Sequence, residues 1–392
     1  MFLVGSLVFA GGSKKPKDSG PSDEQKAINV SELKGLMYES LGLLTDLQPL
    51  MVNEKLFLDP AQDKLINEKL KRFSEISAQV HKFKDLQGPG FKVSGASLNS
   101  HVQEMTKSFK NGNKKYARWM LASTPFACIS CHTQGTRSQV ELWNVQADDL
   151  KGSPFDRAEF LFATRNFAQA IEIYDSIIKN FPGTMVAGQS PELRDLETSL
   201  KRELTYFVRM AQDPGPLMRL LEAASKNAKI PDYIRVNIRF WNKELAKLKS
   251  GTRLSSRKTP DLITATRKLM DGVSRGQISS SNPKLVSVLD ASAALYQRLD
   301  QESLASADKG EILHLLALTD LSLNNEFFFS LGHLYLKECM KLGPTVPAAK
   351  NCYQDYDAEV RFQYSGSRGE DLPQEVKTEL GVWRQALKID RP

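Results

Sequence analysis

Cys128, Ile129, Ser130, Cys131 and His132 follow one another without a break. Two thiols three positions apart can each add to one vinyl group of a porphyrin, and the next residue, an imidazole, can reach the iron from the same helical turn. The spacing therefore points to one covalent haem c, with Cys128 and Cys131 as its thioethers and His132 as the proximal iron ligand. Two other chemistries use paired cysteines. A thioredoxin-like redox pair should follow a strand in a βαβ unit, and no such pattern lies nearby. A zinc site needs two more ligands, yet no Cys or His lies within twenty residues of the pentapeptide.

The sixth position on the iron decides between functions. A methionine as distal ligand closes the iron and raises its potential, favouring electron transfer. A methionine on an apolar helical stripe is also common core filler. Met51, Met105, Met120, His81 and His101 are further choices, and an open five-coordinate iron would bind small gases.

The elements that must hold these residues are helical. Leu33, Leu36, Met37, Leu41, Leu44 and Leu47 mark one face of a first helix, expected to end at Pro49. Asp59-Pro60 opens a second, running through Leu65, Ile66, Leu70, Phe73, Ile76, Val80 and Phe83. A third is expected from Ser97 to the Asn-Gly-Asn break at 111–113, and a fourth from Lys114 to Pro125, with the haem helix directly after it. This order resembles the class II cytochromes c, the four-helix-bundle group in which the haem motif lies on the last helix. The resemblance covers residues 28 to about 145, and it implies Met37 as the first choice for the distal ligand, since class II proteins carry the residue facing the open side of the haem on the first helix. The connections at 51–60 and 87–93 depart from it.

A second region follows Gly152. Ala158, Ala170, Tyr174 and Pro182 occupy the small, small, aromatic and proline positions of a tetratricopeptide repeat, which this stretch resembles. One repeat cannot bury its own face, so the amphipathic segments at 192–249, about 261–275, 283–301, 310–323 and 325–341 must supply neighbours. None keeps a thirty-four-residue register. The expected fold is thus all-α: a four-helix-bundle-like haem domain over 28–150, then a degenerate, tetratricopeptide-like helical array over 153–392. Cys339 and Cys352 flank the turn Gly343-Pro344 to Pro347, and two antiparallel helices would bring the thiols face to face as a disulfide. A buried reduced pair is the alternative.

Residues 1–10 carry a short apolar run ending in Val8-Phe9-Ala10, which reads as a cleaved export signal without the usual basic start. Residues 11–27, rich in Gly, Ser, Lys, Pro and Asp, read as a disordered tether. The resemblance to cytochromes c implies a periplasmic location, since C-x-x-C-H haem is attached outside the cytoplasm in bacteria. No later run has the length of a membrane span.

The chain has 392 residues, four cysteines, five histidines and a net charge of +7. Basic residues are spread along it, and no nucleic-acid motif is present. Lys107, Lys110, Lys114, Lys115, Arg118 and Arg137 cluster around the third turn and the haem motif. They would steer an acidic redox partner, or simply solvate a helix end. The leading expectation is a periplasmic monohaem c-type cytochrome, a single-electron carrier with a protein-docking repeat domain and no catalytic residues of its own. A haem-based gas sensor and an assembly scaffold with structural haem are the alternatives.

Overall fold

The structure is a computed structural model that describes residues 23–82, 89–133, 145–183, 190–251, 253–301, 303–323, 327, 330–367 and 369–390. The export signal, most of the tether and Arg137 lie outside the described residues. The fold is all-α: sixteen α-helices, with one two-residue hairpin (Ser365–Gly366 and Gly369–Glu370) as the sole strand pair among the described residues.

Helix α1 spans Asp23–Val52, α2 Glu54–Leu58, α3 Asp63–Lys82, α4 Pro89–Lys110 and α5 Lys114–His132. Helix α1 begins inside the stretch read as a tether, and it runs through Pro49 rather than stopping there. An interior proline costs about 3 kcal/mol. Burial of Leu44, Leu47, Leu50 and Met51 on that turn, at roughly 1.5–3 kcal/mol per large side chain, outweighs it. The same holds for Pro125 inside α5, where Leu121 and Ile129 are buried on either side. The fourth helix and the haem helix are therefore one.

Helix α3 is launched by Asp59, whose Oδ1 accepts from the Ala61 amide at 2.9 Å ahead of a single 3₁₀ turn. Its buried stripe, Ile66, Leu70, Phe73, Ile76 and Val80, has the three- and four-residue spacing of one helical face. Side-chain pairs show that α1, α3, α4 and α5 alternate in direction. Arg72 holds Glu39 at 2.5 and 2.7 Å and Lys69 holds Asp46 at 2.6 Å, joining α3 to α1. Thr106 donates to the Leu70 carbonyl at 3.2 Å and Ser77 to Asn99 at 3.2 Å, joining α4 to α3. Arg118 donates to the Met51 carbonyl at 3.2 Å, joining α5 to the end of α1.

The second region continues with α6 (Pro154–Ala163), α7 (Phe167–Lys179) and α8 (Pro191–Leu204), then a π-helical turn (Thr205–Met210). Helices α9 (Gly215–Ser225), α10 (Asp232–Ser250), α11 (Thr259–Met270), α12 (Leu285–Gln301) and α13 (Ser306–Leu323) follow. Helices α14 (Gly332–Met340), α15 (Pro347–Gln363) and α16 (Gln374–Ala386) complete the chain's fold. Ser153 and Asp156 form a reciprocal capping box at the start of α6, satisfying two orphan amides at once. Arg253 closes the π turn. It donates to the carbonyls of Val208 (2.9 Å) and Gln212 (2.6 Å) and is held by Asp290.

One hydrophobic core runs without a break from Leu44 in α1 through Leu150, Ala158 and Trp241 to Leu289 in α12. A second joins α11 to α16. In it the sulfurs of Cys339 in α14 and Cys352 in α15 lie at disulfide-bonding distance, 2.07 Å, with Cα atoms 6.2 Å apart. Gly343, at φ +90°, makes the turn between those two helices.

Candidate functional site

The pentapeptide occupies the last turn and a half of α5. Its apolar side is anchored by Ile129, which is fully buried, and by Cys128, which packs half-buried against the core. Ser130 turns its hydroxyl back to the Phe126 carbonyl at 3.0 Å. Thr133 caps the end by donating to the Ile129 carbonyl at 2.7 Å. The Cys131 side chain lies outside the described residues.

His132 is fixed from across the chain. Its Nδ1 lies 2.6 Å from the carbonyl oxygen of Ala163, the last residue of α6. A carbonyl can only accept, so Nδ1 carries the proton and Nε2 keeps its lone pair. The acceptor is available because of how α6 ends. The Asn166 amide bonds the Leu161 carbonyl at 2.8 Å and the Arg165 amide bonds the Phe162 carbonyl at 3.2 Å, the paired closure of a Schellman turn. The Thr164 carbonyl accepts from the Asn166 side chain at 3.4 Å. Ala163 is the carbonyl that this closure skips, and the histidine fills it. Burial first, and then the charge of Arg165, push the imidazole down to about 4 against the raising effect of the carbonyl bond. At neutral pH the ring is uncharged.

This donor set fits a c-type haem. A metal-bound histidine characteristically donates its second ring nitrogen to a carbonyl or carboxylate, which sets tautomer and ring orientation. Here the Ala163 carbonyl takes that place, and it leaves the Nε2 lone pair free, on the turn that also carries the two thiols.

Met37 lies half-buried on α1. It belongs to the stripe Met37, Leu44, Met51, each seven residues from the next, of which Leu44 and Met51 are core. Helices α1 and α5 are packed antiparallel neighbours, with Arg118 beside Met51. Met37 stands fourteen residues before Met51, and His132 fourteen after Arg118. The other candidate ligands lie as follows. Met51, Met105 and Met120 are buried in the core. His101 donates Nε2 to the Met120 carbonyl at 2.9 Å and lies 3.2 Å from the Thr124 hydroxyl. His81 sits at the end of α3 facing Lys92, Lys82 and Lys341.

Behind the site is a buried ionic knot invisible in the sequence. Arg202 of α8 is fully buried, grips Glu159 of α6 through Nε (2.8 Å) and Nη2 (2.7 Å), and donates to the Phe327 carbonyl. Its guanidinium lies 4.8 Å from the centre of the Phe126 ring on α5. Tyr174 of α7 donates to Glu159 at 2.5 Å. Ala158, Ala170 and Tyr174, chosen from sequence as close-packing positions, are all completely buried between α6 and α7.

Of the six clustered basic residues five are described, and two of these have internal partners: Lys114 holds Asp63 at 2.6 Å and Arg118 holds Glu54 at 3.3 Å. Lys107, Lys110 and Lys115 are exposed. On the same outer side of α5, Tyr116 and Trp119 stack at 5.7 Å and 15°, and Trp119 is 61% exposed.

Among the described residues, no helix is long and apolar enough to cross a membrane. Comparison with protein-family models, curated proteins and solved structures finds no match to this chain.

Proposed function

We propose that this chain is a periplasmic monohaem c-type cytochrome, a single-electron carrier whose helical-repeat region docks a protein partner. The observation that carries this is the C-x-x-C-H turn together with the Ala163 carbonyl, which fixes the tautomer of His132 whose Nε2 lone pair is free to ligate iron. A haem bound here would supply one-electron chemistry at its iron. The chain's own residues do the rest. Cys128 and Cys131 would tether the haem covalently, His132 would ligate its iron through Nε2, and Met37 of α1 would be the second protein ligand. The alternating helices α1, α3, α4 and α5, with the motif at the end of the last, support the class II cytochrome c resemblance. The α6–α7 hairpin, with its buried small residues, supports the tetratricopeptide-like reading of the repeat region.

The exposed Lys107, Lys110 and Lys115 suit an acidic redox partner, since complementary charge steers encounter, and the exposed Trp119 stacked on Tyr116 is of the residue type that anchors interfaces. Paired Cys339 and Cys352 suit an oxidising compartment. Absorption spectra of exported protein, oxidised, reduced and treated with carbon monoxide, test the reading. The expected result is a covalently attached haem, at a mass one haem above the polypeptide, that takes up carbon monoxide only by displacing a methionine. Colourless protein of bare polypeptide mass would end it. Haem that binds carbon monoxide freely would replace electron transfer with gas sensing.

A further inference from the structure

Arg165 stands where the chain has reason not to put an arginine. It is the residue after the cap of α6 and has φ +70°, the left-handed region that glycine occupies freely. A side chain there costs about 1–2 kcal/mol. Strain of this kind persists where a side chain is needed, and it gathers at functional sites. The residue two positions earlier, Ala163, is the one whose carbonyl holds His132. The turn that orients the imidazole is therefore the turn that bears the cation.

We infer that Arg165 is a positioning residue of the redox centre, placed by the α6–α7 turn so that its fixed charge raises the reduction potential of the iron ligated by His132. The inference rests on the haem reading above. Reduction adds one negative charge at the site, and a nearby guanidinium, always protonated, stabilises that state over the oxidised one. The repeat region would then set the potential as well as dock the partner, and a partner that binds the α6–α7 turn would shift it.

The test is the midpoint potential of holoprotein variants by spectroelectrochemical titration, with urea unfolding alongside. Arg165→Gly removes charge and strain together. Its unfolding midpoint is expected to hold or rise, while the reduction equilibrium constant falls on the order of tenfold, about 59 mV for one electron. Arg165→Gln should lower the potential similarly, and Arg165→Lys should keep most of it. Gln212→Gly relieves the same kind of strain at φ +51° in the turn after the π-helix and should leave the potential unchanged. If Arg165→Gly or Arg165→Gln carries haem at the wild-type potential, the inference falls and the cytochrome reading stands. If wild-type protein carries no haem, the cytochrome reading itself has failed. Should the glycine variant not mature, the glutamine and lysine pair makes the same comparison.

Discussion

Arg202 offers the sharpest test of how the two regions are held together. Its side chain is wholly buried, with two hydrogen bonds to Glu159, one to the Phe327 carbonyl and the Phe126 ring against its guanidinium. Arg202→Met keeps volume but strands the Glu159 carboxylate inside the protein, with Tyr174 as its remaining named donor. Removing one partner of a buried pair costs about 3–5 kcal/mol, whereas replacing both by apolar groups is often close to neutral. In the double variant Arg202→Met/Glu159→Leu, the Tyr174 hydroxyl loses its acceptor, at roughly 1–3 kcal/mol. The double variant should therefore be milder than Arg202→Met alone, with a coupling energy of about 2 kcal/mol or more. Urea unfolding followed by helical ellipticity, on all four members of the cycle, measures it. A coupling below about 1 kcal/mol, or a double variant worse than the sum of the singles, would refute the view that this pair locks α5, α6 and α8.

Met37→Ala should convert the resting spectrum to that of an iron without a sulfur ligand and allow direct carbon monoxide binding; an unaltered spectrum removes Met37 from the ligand set. Cys339→Ser or Cys352→Ser opens a cross-link between residues thirteen apart and should cost about 3 kcal/mol, read as a lowered urea midpoint that reductant does not lower further. His333, pushed down to about 4 by burial and then by Lys337, with Arg275 adding to the effect, favours its neutral form in the folded state. Its unfolded pKa near 6.5 is the higher of the two, so folding is penalised as pH falls from about 6.5 to 4. The loss is at most about 3 kcal/mol, and His333→Phe should flatten that part of the stability profile.

The helical class and the Cys339–Cys352 pairing were legible because each is local or has a strong period. Asp59-Pro60 announced the start of α3, and Ala158, Ala170 and Tyr174 announced the α6–α7 hairpin, since cap chemistry and close packing are written in residue type. The prolines misled. Pro49 and Pro125 read as helix ends, yet burial of their neighbours carries α1 and α5 through them. What stayed hidden was non-local. Nothing around Glu159 or Arg202 foretells that two charges forty-three residues apart meet in the interior. The Ala163 carbonyl has no residue signature at all. Arg165 carried a faint one, an arginine at a turn position where glycine would be cheaper.

The hydrogen bond from His132 to Ala163 has an evolutionary corollary. Its acceptor is main chain, so any residue able to end α6 at 163 supplies the same oxygen, and drift at that position leaves no trace in an alignment. What selection can see is the shape of the turn. Orthologues that keep the histidine should keep the length of the segment between the two helices and the left-handed residue after α6, while the alanine itself wanders. Catalogues of invariant side chains would pass over the contact that aims the ligand.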